Sequence, residues 1–196
     1  MDVLSNAKSL REQADDLIYR WGLDDILSRY GKVFYTGSYF LDTLVYPDLD
    51  IQLLVAGDPL SLPNFFDLGK EIALLDGVKA LKFDNFVSHP VDPLPKGLYW
   101  GIKTSIGTGS RPWKIDLWAK DAASSHQHED EINDIARRMD NDARLRILEI
   151  KHSLLTPEGR TPVLSGYHIY QAVLFKGLRE RSEVIEYLQS QDINIG

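Results

Sequence analysis

Cysteine is absent from the 196 residues and methionine occurs twice. Disulfides, thiolate zinc sites and cysteine nucleophiles are thereby excluded. Long apolar runs are missing as well. No stretch reaches the ~20 apolar residues that a helix needs to cross a bilayer. The opening MDVLSNAKSLREQADDLIYR carries charges throughout and has no apolar signal core. The expectation is a cytoplasmic protein with no membrane partner. Positive charge is in deficit, with 22 Lys and Arg against 29 Asp and Glu and a net charge of −7. Such a chain gains no general attraction to nucleic acid, which is therefore not an expected partner. What is present is apolar residues, 43% of the chain, enough for a real core. The length suits one sizeable domain, or a compact domain with an appendage.

Along the chain, Val3, Leu4, Leu10, Ala14, Leu17 and Ile18 recur at helical spacing, and a second short helix is expected over Leu23–Tyr30, stopped by Gly31. KVFYT (32–36) and LDIQLLV (49–55) read as strands, joined by a connection of one or two helical turns that Pro47 ends. AGDPLSLP is turn-rich, and NFFDLGKEIALLDG reads as a helix closed by Gly77. VKALKFDNF, LYWGIKTSIG and PWKIDLWA read as strands, the last two joined by TGSR as a hairpin. Beyond Lys120 the pattern is helical and highly charged. The expected class is α/β (α+β): a mixed β-sheet flanked by helices, with a C-terminal helical part. The expected division is 1–122 for the core with its N-terminal helices and 123–196 for the helical region.

The carboxylates carry the chemistry. On a strand alternate residues share a face, so Asp48 and Asp50 point one way while Leu49, Ile51 and Leu53 point into the core. Two carboxylates so close repel each other unless one is protonated or a cation lies between them. Magnesium resolves the conflict, since it takes one or two carboxylates plus water and phosphate oxygens. In WKIDLWA, Asp116 is a lone carboxylate on a strand whose other face is apolar. If that strand lies beside the first, three carboxylates converge. Two metal ions about 4 Å apart would then activate an attacking hydroxyl and stabilise a leaving pyrophosphate. Gly37-Ser38 follows the first strand. Glycine permits close backbone approach, and the following amides and the Ser38 hydroxyl can hold phosphate oxygens.

Taken together, these features resemble the DNA polymerase β-like nucleotidyltransferases, a superfamily that includes aminoglycoside, lincosamide and minimal nucleotidyltransferases. The shared pattern is a strand, Gly-Ser, a spacer of about ten residues, Asp-x-Asp on the next strand and a third acid on a later strand. Here it reads Gly37-Ser38, Asp48-Leu49-Asp50 and Asp116, within residues 31–120 or so. The spacer Leu41–Pro47 departs from the pattern by lacking the Arg that many members carry. The resemblance implies transfer of a nucleoside monophosphate from an NTP, with ATP as the default, to an acceptor hydroxyl, releasing pyrophosphate. It implies Asp48, Asp50 and Asp116 as catalytic metal ligands for two Mg2+ ions or Mn2+, and Gly37 and Ser38 as nucleotide-binding residues. Asp116 is also the expected general base. The acceptor is expected to be a small molecule. The alternatives are a non-catalytic, antitoxin-like protein of the same fold and an enzyme that adds nucleotides to an RNA end.

The remaining chemistry-bearing residues are assigned structural roles. Lys114 reads as an ion-pair or solvated residue on the face of Asp116, and Arg111 as a solvated turn residue. His126 and His128 read as part of an acidic helix start rather than a metal site. Lys151, Tyr167 and Lys176 read as helix-surface charges and core aromatics, and Trp100 and Trp118 as core packing.

Overall fold

The computed structural model describes residues 2–55, 61–92, 94–105, 111–120 and 122–195. Most of the TGSR turn and the first five residues of AGDPLSLP lie outside them. The N-terminal helix α1 (Val3–Asp15) runs on through a π-helical turn at Asp16–Arg20 and is followed by α2 (Leu23–Leu27). Then come β1 (Gly31–Thr36), α3 (Gly37–Phe40), β2 (Asp48–Val55), α4 (Leu62–Ala73), β3 (Val78–Asn85), β4 (Leu98–Thr104) and β5 (Trp113–Ala119). The C-terminal part comprises α5 (Ala122–Arg138), α6 (Asn141–Ser153), α7 (Ser165–Tyr170) with a π-helical continuation Gln171–Phe175, and α8 (Arg181–Ser190).

The five strands form one mixed sheet in the order β1-β2-β5-β4-β3. Among the described strands only β2 and β5 run parallel; every other pair is antiparallel. This is the expected mixed sheet flanked by helices. The boundaries differ in physically simple ways. Gly31 opens β1 rather than closing α2, because its backbone already pairs with Val55. Helix α4 stops at Ala73, and Gly77 (φ +86°) instead makes the turn into β3. The charged C-terminal stretch is broken at Asp140, whose carboxylate caps α6 by accepting from the Ala143 N–H at 2.8 Å.

One face of the sheet is closed by α1, α2 and α4 over Leu49, Ile51, Leu53, Trp100, Ile102, Trp113, Ile115 and Leu117. The alternation that buries these residues turns Asp48, Asp50, Lys114, Asp116 and Trp118 to the other face. A second apolar cluster joins α5–α8 around Ile132, Ile150, Ile169, Val184 and Leu188. The spacer between α3 and β2 ties the clusters together. Leu41 belongs to the helical cluster, Leu44 to the sheet core, and Val45 to a third group with Ala7 and Leu148. Its apolar residues are thus packed rather than displayed.

Leu117 is fully buried one residue beyond Asp116. Leu117→Ala is expected to cost about 2–5 kcal/mol in urea unfolding, with helix and strand content unchanged at low denaturant. A cost below about 1 kcal/mol would mean that this face is not the core.

Candidate active site

β2 and β5 lie side by side in parallel, with Asp50 opposite Asp116 and Asp48 opposite Lys114. The three carboxylates therefore stand on one face of two neighbouring strands. Lys114 supplies the local counter-charge: its ammonium donates to Asp116 Oδ2 and lies 3.8 Å from Asp48 Oδ1. The expected ion pair is thus there, and it joins two of the acids. Tyr99 on β4 donates its phenolic hydrogen to the other Asp116 oxygen at 2.6 Å. Gly101, the register partner of Asp116 on β4, makes room for this contact, because a Cβ there would lie 2.7 Å from the Tyr99 hydroxyl.

The electrostatics follow from burial and crowding. Burial first, and then the Asp48 and Asp116 carboxylates, push Asp50 up to about 8, against the pull of Lys114 and Lys151. Asp48 is also raised, chiefly by burial. Burial works against the charge of Lys114, yet Asp48 and Asp116 together hold it above the ordinary lysine range.

These residues fit a divalent cation. Three carboxylates are hard oxygen donors, and Asp48 Oδ1 is buried without a hydrogen-bond partner among the described residues. Asp50 is held as a carboxyl that ordinary solvation does not keep ionised. Among the described residues, no three His, Asp or Glu side chains already surround one point as metal ligands.

Gly37 and Ser38 begin α3 at the end of β1. Gly37 takes a positive φ of 61°, and a Cβ there would meet Asp50 Oδ2 at 2.2 Å. Glycine alone lets the turn sit against that carboxylate. Ser38 is held from the C-terminal part. Lys151 on α6, 2% exposed, donates to Ser38 Oγ and to the Thr43 carbonyl, each at 2.8 Å. It also reaches the Tyr170 hydroxyl at 3.3 Å, and that hydroxyl pairs with Thr43 Oγ1 at 2.7 Å. Lys151 is therefore no surface charge, and the expectation for it is corrected. The signal was there: Lys151 falls four residues after Ile147 and three after Leu148, on the buried stripe of α6.

His128 lies in the first half of α5, as expected, and has a partner that the sequence does not disclose. Its Nε2 pairs with Thr36 Oγ1 at 2.8 Å, so it joins α5 to the strand end just before Gly37. It shares a helix face with the buried Ser125, Ile132 and Ile135. His126, by contrast, is exposed. Tyr167 is 52% exposed, so the tyrosine at the site is Tyr170. Lys176 lies over the Tyr187 ring, away from these residues. Trp100 is a core residue that donates to the Phe65 carbonyl, whereas Trp118 is only half-buried.

Comparison with protein-family descriptions gives no match, and neither does comparison with curated protein sequences. Solved structures do match. Cid1 poly(U) polymerase with Mg and 3′-dATP bound gives a TM-score of 0.51 at 17% identity, over 74% of this chain and 41% of Cid1. A second Cid1 structure, described for its RNA terminal uridylyl transferase activity, gives 0.58 at 16% identity, over 87% and 48%. A cytoplasmic RNA terminal U-transferase gives 0.53 at 15% identity, over 90% and 54%. The chain thus spans about half the length of these proteins, and the likeness establishes the fold.

Burial first, and the Lys120 charge second, hold the His128 imidazole down at about 4, with Glu131 opposing. A freely solvated histidine sits near 6.5. Between the two values the unfolded chain binds a proton that the folded chain does not, so folding weakens as pH falls through that window. Urea unfolding in the presence of chelator should lose stability more steeply between pH 6.5 and 4 in the parent than in His128→Gln. Equal slopes would remove His128 from this role.

Proposed function

We propose that this chain, whose fold is that of the DNA polymerase β-like nucleotidyltransferases, transfers a nucleoside monophosphate from an NTP to an acceptor hydroxyl and releases pyrophosphate. The observation that carries the reading is the parallel β2–β5 register, which sets Asp50 opposite Asp116 with Asp48 on the same face and Gly37 against Asp50. Mg2+ or Mn2+ held by Asp48, Asp50 and Asp116 would neutralise charge on the phosphates and make the acceptor hydroxyl more acidic. A pair of ions suits three carboxylates better than one.

The residues of the chain divide the remaining work. Gly37 and Ser38 hold the triphosphate. Lys151 fixes the Ser38 hydroxyl and lends positive charge beneath it. Asp116 takes the proton of the acceptor hydroxyl as the new oxygen–phosphorus bond forms and the bond to pyrophosphate breaks. Positioning and charge neutralisation supply most of the catalysis.

The acceptor reading differs from the sequence expectation. Nothing favours a small molecule, whereas the matching structures are of enzymes described as poly(U) polymerase and RNA terminal U-transferase. We take an RNA 3′-hydroxyl as the acceptor. ATP, the default from sequence, then competes with UTP as the donor.

A labelled single-stranded RNA incubated with Mg2+ and each NTP in turn should grow by added nucleotides with one NTP preferred. Asp50→Asn should lower that rate by at least about a thousandfold, while melting no lower than the parent in chelator, since it removes one of three crowded carboxylates. An NTP with Mg2+ at ~100 times its dissociation constant should stabilise the parent by about 2.7 kcal/mol. No stabilisation by any NTP, with no RNA extension, would sink the proposal.

A further inference from the structure

Two aromatic clusters lie on opposite faces of β3 and β4. Phe65, Phe66, Phe83 and Trp100 form the first, on the face covered by α4. Gly69 of α4 sits so close to Trp100 that a Cβ would lie 2.5 Å from its ring. Phe65 and Trp100 of that cluster are buried, while Phe66 at its edge is 45% exposed. The second consists of Phe86, Tyr99 and Trp118, and it lies on the face of the carboxylates. Phe86 and Trp118 stack at 5.3 Å between centroids and 26° between planes, and Tyr99 packs on Trp118 at 4.9 Å. All three rings are half-buried, each with part of its surface in water. A core cluster of this size would normally be covered.

Its place relative to the acids is fixed by strand register. Trp118 stands two residues beyond Asp116 on β5, opposite Tyr99, and the Tyr99 hydroxyl is bonded to Asp116. The Phe86 N–H bonds the Gly97 carbonyl at 2.9 Å, extending the β3–β4 pairing to bring that ring alongside. The face carries charge of both signs: Lys82, opposite Gly101, is paired with Asp84 at 2.8 Å, Asp84 lies opposite Tyr99, and Lys103 stands opposite Lys114. Lys82 and Lys103 are both exposed. Partly exposed aromatic rings beside an exposed lysine suit single-stranded nucleic acid, with a base on the rings and a phosphate on the ammonium group.

We propose that Phe86, Tyr99 and Trp118 form a stacking shelf for the terminal base of a single-stranded RNA acceptor, with Lys103 facing its phosphates. This rests on the reading of an RNA end as acceptor. The shelf adjoins Asp116, on the far side from Gly37-Ser38, so the acceptor base and the triphosphate have separate places. Tyr99 couples them, because the same side chain forms part of the shelf and holds the carboxylate that takes the hydroxyl proton.

The test is binding of a short 5′-labelled single-stranded RNA, followed by fluorescence anisotropy without NTP. Trp118→Ala should weaken binding about tenfold, as loss of one stacked base does. Trp118→Phe should restore most of it, and Phe86→Ala, which keeps the backbone bond to the Gly97 carbonyl, should weaken it as well. NTP-induced thermal stabilisation should be unchanged in all three. RNA binding unaffected by Trp118→Ala and Phe86→Ala, or absent from the parent, overturns the shelf. So does a loss confined to NTP binding, which would give the rings to the incoming base. Extension of RNA by the parent with no effect of these variants on RNA binding would leave the transfer reading standing and the shelf refuted. RNA binding sensitive to Trp118 without extension would do the reverse.

Discussion

Three carboxylates crowded on one face of two adjacent strands cannot all keep their charge without a cation among them, and the surroundings of the site answer to that constraint. Lys114 answers it in part, spanning Asp116 and Asp48 from the same strand pair. The Tyr99 phenol answers another part by donating to Asp116. What is left uncompensated is Asp50, pushed towards its neutral form by burial and by its two neighbours. A protein built only for stability would have replaced one of these acids with an apolar residue. Keeping all three is costly in the absence of a ligand and sensible in its presence.

The sheet makes the crowding possible at low backbone cost. Only the β2–β5 pair is parallel, and that register sets like residues at the same level, acid opposite acid. The antiparallel neighbours then supply what each strand end needs. β1 delivers Gly37 against Asp50, and β4 delivers the bare Gly101 across which Tyr99 reaches. The helical part contributes Lys151, Tyr170 and His128, each bonded to the strand end, turn or spacer that borders the acids.

Much of this was legible in the sequence, and for identifiable reasons. Alternation in LDIQLLV and WKIDLWA disclosed which face each aspartate takes, because a strand has a period of two and no freedom to vary it. Gly-Ser and Asp-x-Asp are local patterns at a fixed distance. Lys151 and Ser38 are 113 residues apart, and His128 and Thr36 are 92 apart. No local pattern joins such pairs; only the packing of α5 and α6 against the first strands does. Their trace in the sequence was a basic residue on an otherwise buried helical stripe. A basic residue so placed is easily read as a solvated charge when the neighbouring helix is unknown. The same holds for Trp118, whose strand position suggests core packing until the open face is seen.

The spacer between α3 and β2 bears on how such a chain can change. Leu41, Leu44 and Val45 each enter a different apolar cluster, and the intervening Thr43 is held by both Tyr170 and Lys151. The seven residues from Leu41 to Pro47 therefore act as a keystone rather than a tether. Insertion or deletion there cannot be absorbed locally, since every register between Gly37 and Asp48 is fixed by packing on three sides. Nor are the sheet and the helical part interchangeable modules. A helical partner borrowed from another protein must bring its own sockets for Leu41 and Val45, and its own buried cation for Ser38 and Thr43. Changes of length are accordingly borne by surface turns rather than by this joint.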